Sequence, residues 1–175
     1  RSTHVPYFFD ESGMQLELFL APAETHLITI NHSRSKNELG ESAYKSFEYF
    51  ADWQFSYNSQ NQFKIFADFS GDELLNEDAR YASGVYYTRV LPKNWSFSVE
   101  TEFQQIERTY AETESFQNIY TGLIVNYSPK FSAAFVWEFT NDPNVADNPA
   151  TEKVEKTQQY PGINLSVKPN RKNTI

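Results

Sequence analysis

The sequence predicts an all-β chain: an antiparallel up-and-down transmembrane β-barrel, with about nine to ten strands of a larger barrel present. Three observations predict it. Segment after segment alternates apolar and polar residues with period two. The connections between these segments alternate short and long along the chain, as in barrels with unlike ends. Aromatic content reaches 17%, with 15 Phe and 11 Tyr, although no apolar stretch is long enough for a spanning helix.

The elements follow in order. MQLELFL places Met14, Leu16, Leu18 and Leu20 on one face, and HLITINHS places Ile28 and Ile30 likewise. Residues 45–57 set Phe47, Tyr49, Ala51, Trp53, Phe55 and Tyr57 against Ser46, Glu48, Asp52, Gln54 and Ser56. Residues 62–70 set Phe63, Ile65, Ala67 and Phe69 against Lys64 and Asp68. SGVYYTRVL alternates more weakly, with Tyr86 and Thr88 opposed to Tyr87 and Arg89. SFSVETEFQQIE opposes Phe97, Val99 and Phe103 to Glu100 and Glu102. QNIYTGLIVNYS, FSAAFVWEF and GINLSVK continue the pattern, and NTI reads as the start of another strand. The short connections are APAET, NSQN, PKN, SPK and KPNRKN; the long ones are 33–44, 70–83, 107–115 and 140–161. Every Pro placed in this scheme falls in a connection, where it deletes no ladder hydrogen bond.

Each face then has an expected solvent. Lipid rewards an apolar outer face, and an aqueous interior rewards an ionic one. Glu48, Asp52, Lys64, Asp68, Arg89, Glu100, Glu102, Glu138 and Lys168 are the expected lumen-facing polar residues. Tyr49, Trp53, Phe55, Tyr57, Phe63, Trp95, Phe97, Tyr127, Phe131 and Trp137 are expected to face lipid or form an interfacial girdle. Tyr44, Tyr81, Phe116 and Phe139 are expected to form a looser girdle at the long-loop end. A backbone in lipid must pair all its polar groups, so the sheet must close. Nine strands and a fraction leave an incomplete ring, so residues 1–175 are read as one domain lacking strands at one or both ends. A soluble lipocalin-like barrel is the alternative architecture; it accounts less well for Trp and Tyr recurring at strand ends.

The strand-and-loop pattern, and YPGINLSVKPNRKNTI in particular, resembles an uncharacterised outer-membrane β-barrel family of Bacteroidota bearing a domain-of-unknown-function label. The resemblance covers roughly the last 130 residues. It implies a bacterial outer-membrane location. It carries no established activity. Barrels of this sort in such bacteria serve larger machines for transport, secretion or barrel assembly. The expectation is a non-enzymatic subunit or accessory, with outer-membrane lipid and other outer-membrane proteins or lipoproteins as partners. A porin-like channel for small solutes is the alternative function.

Other chemistry finds little support in the sequence. The net charge of −8 opposes phosphate neutralisation, so no nucleic-acid role is expected. With no Cys there is no thiolate metal site or cysteine nucleophile. His32 and Ser33 are adjacent on a strand and point to opposite faces, so they cannot pair as base and nucleophile. His4, His26 and His32 do not suggest a metal site. The acidic loops carrying Asp72, Glu73, Glu77 and Asp78, and Asp142, Asn144, Asp147 and Asn148, offer oxygen ligands but not EF-hand spacing. Solvated loop surface is expected there, and neither cofactor nor metal. The N-x-S triplets at Asn31, Asn94, Asn126 and Asn164 are chance matches on this reading.

Overall fold

The computed structural model describes residues 11–39, 42–110, 112–128, 130–143 and 157–168. It is one antiparallel sheet of nine strands in sequence order. The strands are β1 (Glu11–Ala23), β2 (His26–Leu39), β3 (Ser42–Asn58), β4 (Asn61–Asp72), β5 (Glu77–Leu91), β6 (Trp95–Thr109), β7 (Thr113–Tyr127), β8 (Phe131–Thr140) and β9 (Gln158–Val167). No α-helix of spanning length and apolarity occurs among the described residues. The sheet is open: β1 and β9 pair only with their inner neighbours. These nine strands close no ring by themselves; the expectation is an incomplete ring, and the sheet is all-β, antiparallel and open. The expected NTI strand and KPNRKN turn lie outside the described residues.

Register fixes which side chains share a face. His26 of β2 lies opposite Phe55 of β3, Phe55 opposite Phe63 of β4, and Phe63 opposite Tyr87 of β5. Tyr87 continues the row to Val99, Leu123, Phe135 and Ile163. One residue along, Lys64 lies opposite Tyr86, and Tyr86 opposite Glu100. A slip of one residue would exchange the faces entirely, so this long alternation holds the register.

The usual relation of burial to polarity is inverted. Among the described residues no second layer covers either face, yet the acidic Glu48 is only 2% exposed, Asp52 and Asp68 each 7%. On the opposite face Trp53 is 41% exposed and Leu16 67%. A single layer can bury side chains only by curling, so the sheet curls around its polar face. One concavity of about 620 Å³ is lined from β1 to β6 and includes Gln54, Lys64, Tyr86, Thr88 and Glu100.

Glycine makes that curvature sterically possible. Gly84 of β5 faces the polar side opposite Phe66 of β4. A Cβ there would sit 2.3 Å from the Phe66 ring and 3.0 Å from the Thr101 carbonyl. The ring lies flat over bare backbone, an aromatic covering a glycine in the neighbouring strand. Gly84→Ala is expected to cost about 1–3 kcal/mol through overpacking. A urea midpoint that does not fall would show the Phe66 ring free to swing away.

The two ends of the sheet differ, though not by loop length alone. At the near end the turns are tight: residues 24–25, 59–60, 92–94 and 128–130. Asn58 Oδ1 caps one of them, accepting from the backbone N–H of Gln60 and of Asn61 at 2.9 Å each. Lys93 and Asn94 take the left-handed conformation in another, with φ of 62° and 64°. At the far end three expected long loops prove short. Strand continues to Leu39 and resumes at Ser42, continues to Asp72 and resumes at Glu77, continues to Thr109 and resumes at Thr113. The gap before Glu77 is filled by a 3-10 turn, Glu73–Leu75, capped by Asp72, whose carboxylate accepts from the Leu74 N–H. Only 141–157 is long. Polar residues on both parities hid these strand extensions: 33–38 alternates no hydrophobicity, yet pairs residue for residue with β3.

Candidate functional site

The candidate site is the pair of faces. The aromatic face carries Tyr49, Trp53 and Phe55 on β3, Phe63 on β4, Trp95 and Phe97 on β6, Tyr127 on β7, and Phe131 and Trp137 on β8; Tyr57, expected with them, falls at the register shift between Ser56 and Asn58. Their rings form a ladder across the strands. Trp53 meets Phe55 at 4.6 Å between centroids, Phe55 meets Phe63 at 4.9 Å, and Phe63 meets Tyr87 at 4.7 Å. Trp95 and Tyr127 meet at 4.8 Å beside the near-end turns. Cross-strand aromatic pairs of this kind stabilise a sheet modestly, about 0.2–1 kcal/mol each.

Charge on this face is confined to strand ends. Apart from the bulged Asp78, the described strand residues of that parity that carry charge are Arg34, Lys36, Glu38, Lys45, Arg89 and Glu107. Between them runs a belt free of Asp, Glu, Lys and Arg, mostly of Leu, Ile, Val, Ala and aromatic residues, with Ser83, Thr101 and Thr121 among them. Arg89 corrects the expectation that placed it with the lumen group. It lies opposite Asn61 and Phe97, on the aromatic parity, at the near-end border of the belt. Two far-end aromatics correct the girdle in the other direction. Tyr44 lies opposite Asn37, and Phe116 opposite Ile106, both on the polar parity. Tyr81 and Phe139 lie on the aromatic face.

The polar face carries Glu48, Asp52, Lys64, Asp68, Glu100, Glu102 and Glu138. Lys168 follows the end of β9, where its backbone N–H donates to the Lys130 carbonyl at 2.9 Å. Two groupings result. On β3 to β5, Lys64 Nζ stands 3.6 Å from Asp52, and Ser70 Oγ donates to Asp68 at 2.9 Å. Arg80 Nε donates to Ser70 Oγ at 3.1 Å and lies 3.9 Å from Asp68; its other arm reaches Glu77 at 3.4 Å. Glu48 sits beside Asp68 and accepts from Ser33 Oγ at 3.5 Å. On β5 to β9, Glu100, Glu102 and Glu138 share the trough with Tyr86, Tyr120 and Tyr160. The Tyr86 hydroxyl donates to Glu102, and Lys64 Nζ hangs 5.9 Å from the Tyr86 ring centre.

A third grouping at the far end was not expected. Arg108 of β6 grips Asp142 with two arms, at 3.1 and 2.5 Å, and donates to Glu114 at 3.1 Å. Its guanidinium lies 4.5 Å above the centre of the buried Phe116 ring. Asn141 Oδ1 accepts from the Gln117 N–H at 2.5 Å, and the Asp142 N–H donates to Thr140 Oγ1 at 3.1 Å. The root of the longest connection is thus tied down to β6 and β7. No local pattern announces this, because Arg108 and Asp142 are 34 residues apart.

The remaining candidates resolve into structural roles. His32 lies on the aromatic parity with its ring 4.3 Å from Tyr49, while Ser33 lies on the polar parity. His26 Nδ1 accepts from Trp53 Nε1 at 3.0 Å. Glu73 accepts from the Lys45 N–H, and Asp142 is held by Arg108. No metal-holding group of three His, Cys, Asp or Glu occurs among the described residues. Asn144, Asp147, Asn148 and His4 lie outside them. Comparison of the chain with protein-family models, with curated proteins and with solved structures returns no match.

Proposed function

We propose that this sheet is part of the wall of a transmembrane β-barrel in a bacterial outer membrane, serving as a non-enzymatic subunit or accessory of a larger outer-membrane complex. One observation carries the reading: an exposed aromatic face, uncharged except at strand ends, backs onto a concave face where Glu48, Asp52 and Asp68 are buried. In water that arrangement wastes the hydrophobic effect on the convex side. In lipid it is the favourable one, with an apolar band outside and polar residues within. Trp95 and Tyr127 at one border, with Arg89 beside them, match the amphipathic composition of an interface. The free edges of β1 and β9 would be closed by further strands, from the same polypeptide or another, because hydrocarbon leaves no other partner for their N–H and C=O groups.

Neighbouring residues provide the test. The chain has no Cys, so single cysteines can be introduced at Lys64, on the polar parity, and Ile65, on the aromatic one. In bilayer vesicles a water-soluble maleimide is expected to label Lys64→Cys and to leave Ile65→Cys unlabelled until detergent is added. Labelling of Ile65→Cys in intact vesicles would sink the reading. A channel is the second reading, favoured by the trough along the polar face. Stable open currents in planar bilayers support the channel. Silence, together with a protein that co-purifies in fixed ratio, supports the subunit.

A further inference from the structure

We infer that the far-end border of the aromatic face on β2 and β3 is a docking surface for the phosphate of an anionic lipid headgroup, an inference that rests on the barrel reading above. Lys36 of β2 and Lys45 of β3 are direct cross-strand partners on the aromatic parity, and Arg34 lies one step closer to the belt on the same face. Like charges placed directly opposite destabilise a sheet. The chain as a whole carries a net charge of −8, so three cations gathered on one apolar face run against its overall balance.

The surroundings leave this cluster under-neutralised. Lys36 is engaged by Glu38, two residues along its own strand. Glu73 spends a carboxylate oxygen on the backbone N–H of Lys45, at 2.9 Å. Among the described residues no carboxylate lies within ion-pair distance of Arg34 or of the Lys45 side chain. The Arg34 guanidinium instead donates to the Tyr49 hydroxyl at 3.1 Å, which steadies it. His32 stacks on the Tyr49 ring at 4.3 Å.

Position selects the occupant. Immediately below the cations lie Met14, 61% exposed, and Leu16, which flank β2 in register with Arg34 and His32. A ligand seated here meets apolar surface on one side and three cations on the other. An anionic phospholipid has that shape of chemistry: acyl chains for Leu16 and Met14, a phosphate for Arg34 and Lys45. Basic residues just outside a membrane core draw anionic lipids in this way. Arg89, at the opposite border, stands without a second cation in register and offers no such cluster.

The test uses the full chain with Trp53→Phe, Trp95→Phe and Trp137→Phe, and with Met14→Trp as the reporter directly opposite Arg34, in phosphatidylcholine vesicles. Chain-brominated phosphatidylglycerol or chain-brominated phosphatidylcholine is added at equal mole fraction, and quenching is compared. The expected result is stronger quenching by the phosphatidylglycerol, with the preference falling about fivefold for each cation removed in Arg34→Gln and Lys45→Gln. Arg89→Gln should keep the preference. Equal quenching by the two lipids, or a preference unchanged in the double variant, overturns the inference and leaves the barrel reading intact. Loss of preference to inorganic phosphate, but not to chloride at matched ionic strength, would assign the cluster to a free ion and overturn the lipid. No quenching by either lipid removes the barrel reading, and this inference with it.

Discussion

Ala67→Arg is expected to weaken folding into bilayer vesicles by about 2–4 kcal/mol, the cost of an arginine near the middle of a lipid-facing band. Ala67 lies in the centre of the uncharged belt, between Ala51 and Ser83, with Ile65 and Phe69 on either side along β4. If the aromatic face met water, the same change at an exposed strand position would fall within about 0.5 kcal/mol of neutral. Ala82→Arg is the control. Ala82 lies opposite Asp68 on the polar parity and lines a trough of about 420 Å³, so the new cation has both room and a carboxylate to meet. Urea titration of folding into vesicles measures both variants. Equal effects at Ala67 and Ala82 would contradict the assignment of faces.

The second large effect is expected at Arg108. Its side chain and that of Asp142 are each nearly buried, at 12% and 11% exposure. Arg108→Gln leaves Asp142 and Glu114 without their cation, and breaking a buried pair from one side costs about 3–5 kcal/mol. Asp142 then loses its tie to β6, so limited proteolysis within 143–157 should quicken as stability falls. The paired replacement Arg108→Met with Asp142→Leu removes both charges and should recover most of the loss. If the single variant is as stable and as resistant as the parent, the Arg108 pair does not hold the root of the connection.

How far the sequence could be read follows from where its alternation is strong. On β3 and β4 every second residue from Phe47 to Phe55 and from Phe63 to Phe69 is aromatic or aliphatic, so Trp53 and Asp52 fall on opposite parities with no ambiguity. On β5 two tyrosines stand side by side, and the parity could be taken either way. The pairing of Tyr87 with Phe63 decides it and carries Arg89 to the aromatic face. Tyr44 and Phe116 were assigned by their closeness to strand ends, whereas counting by twos from Glu48 and from Tyr120 places both on the polar side. The far-end strand extensions were illegible for a different reason. Where neither face is apolar, period two leaves no trace in composition, and only backbone pairing reveals the strand. Arg80, which the sequence placed in a loop, is inside one of these extensions, and with it much of the buried ionic grouping around Asp68.

Those extensions also set a height. β3 has 17 residues. At the usual rise and a barrel-like inclination it would climb about 43 Å along the membrane normal, against an apolar band about 25 Å tall. The excess is at the far end, where Ser42, Ala43 and Tyr44 pair with Leu39, Glu38 and Asn37, beyond the border marked by Lys36 and Lys45. The sheet would therefore stand proud of the headgroups as a stiff parapet. Whatever meets the far end would engage ordered, hydrogen-bonded backbone well clear of the lipid, and would not have to reach down to the membrane surface to find it.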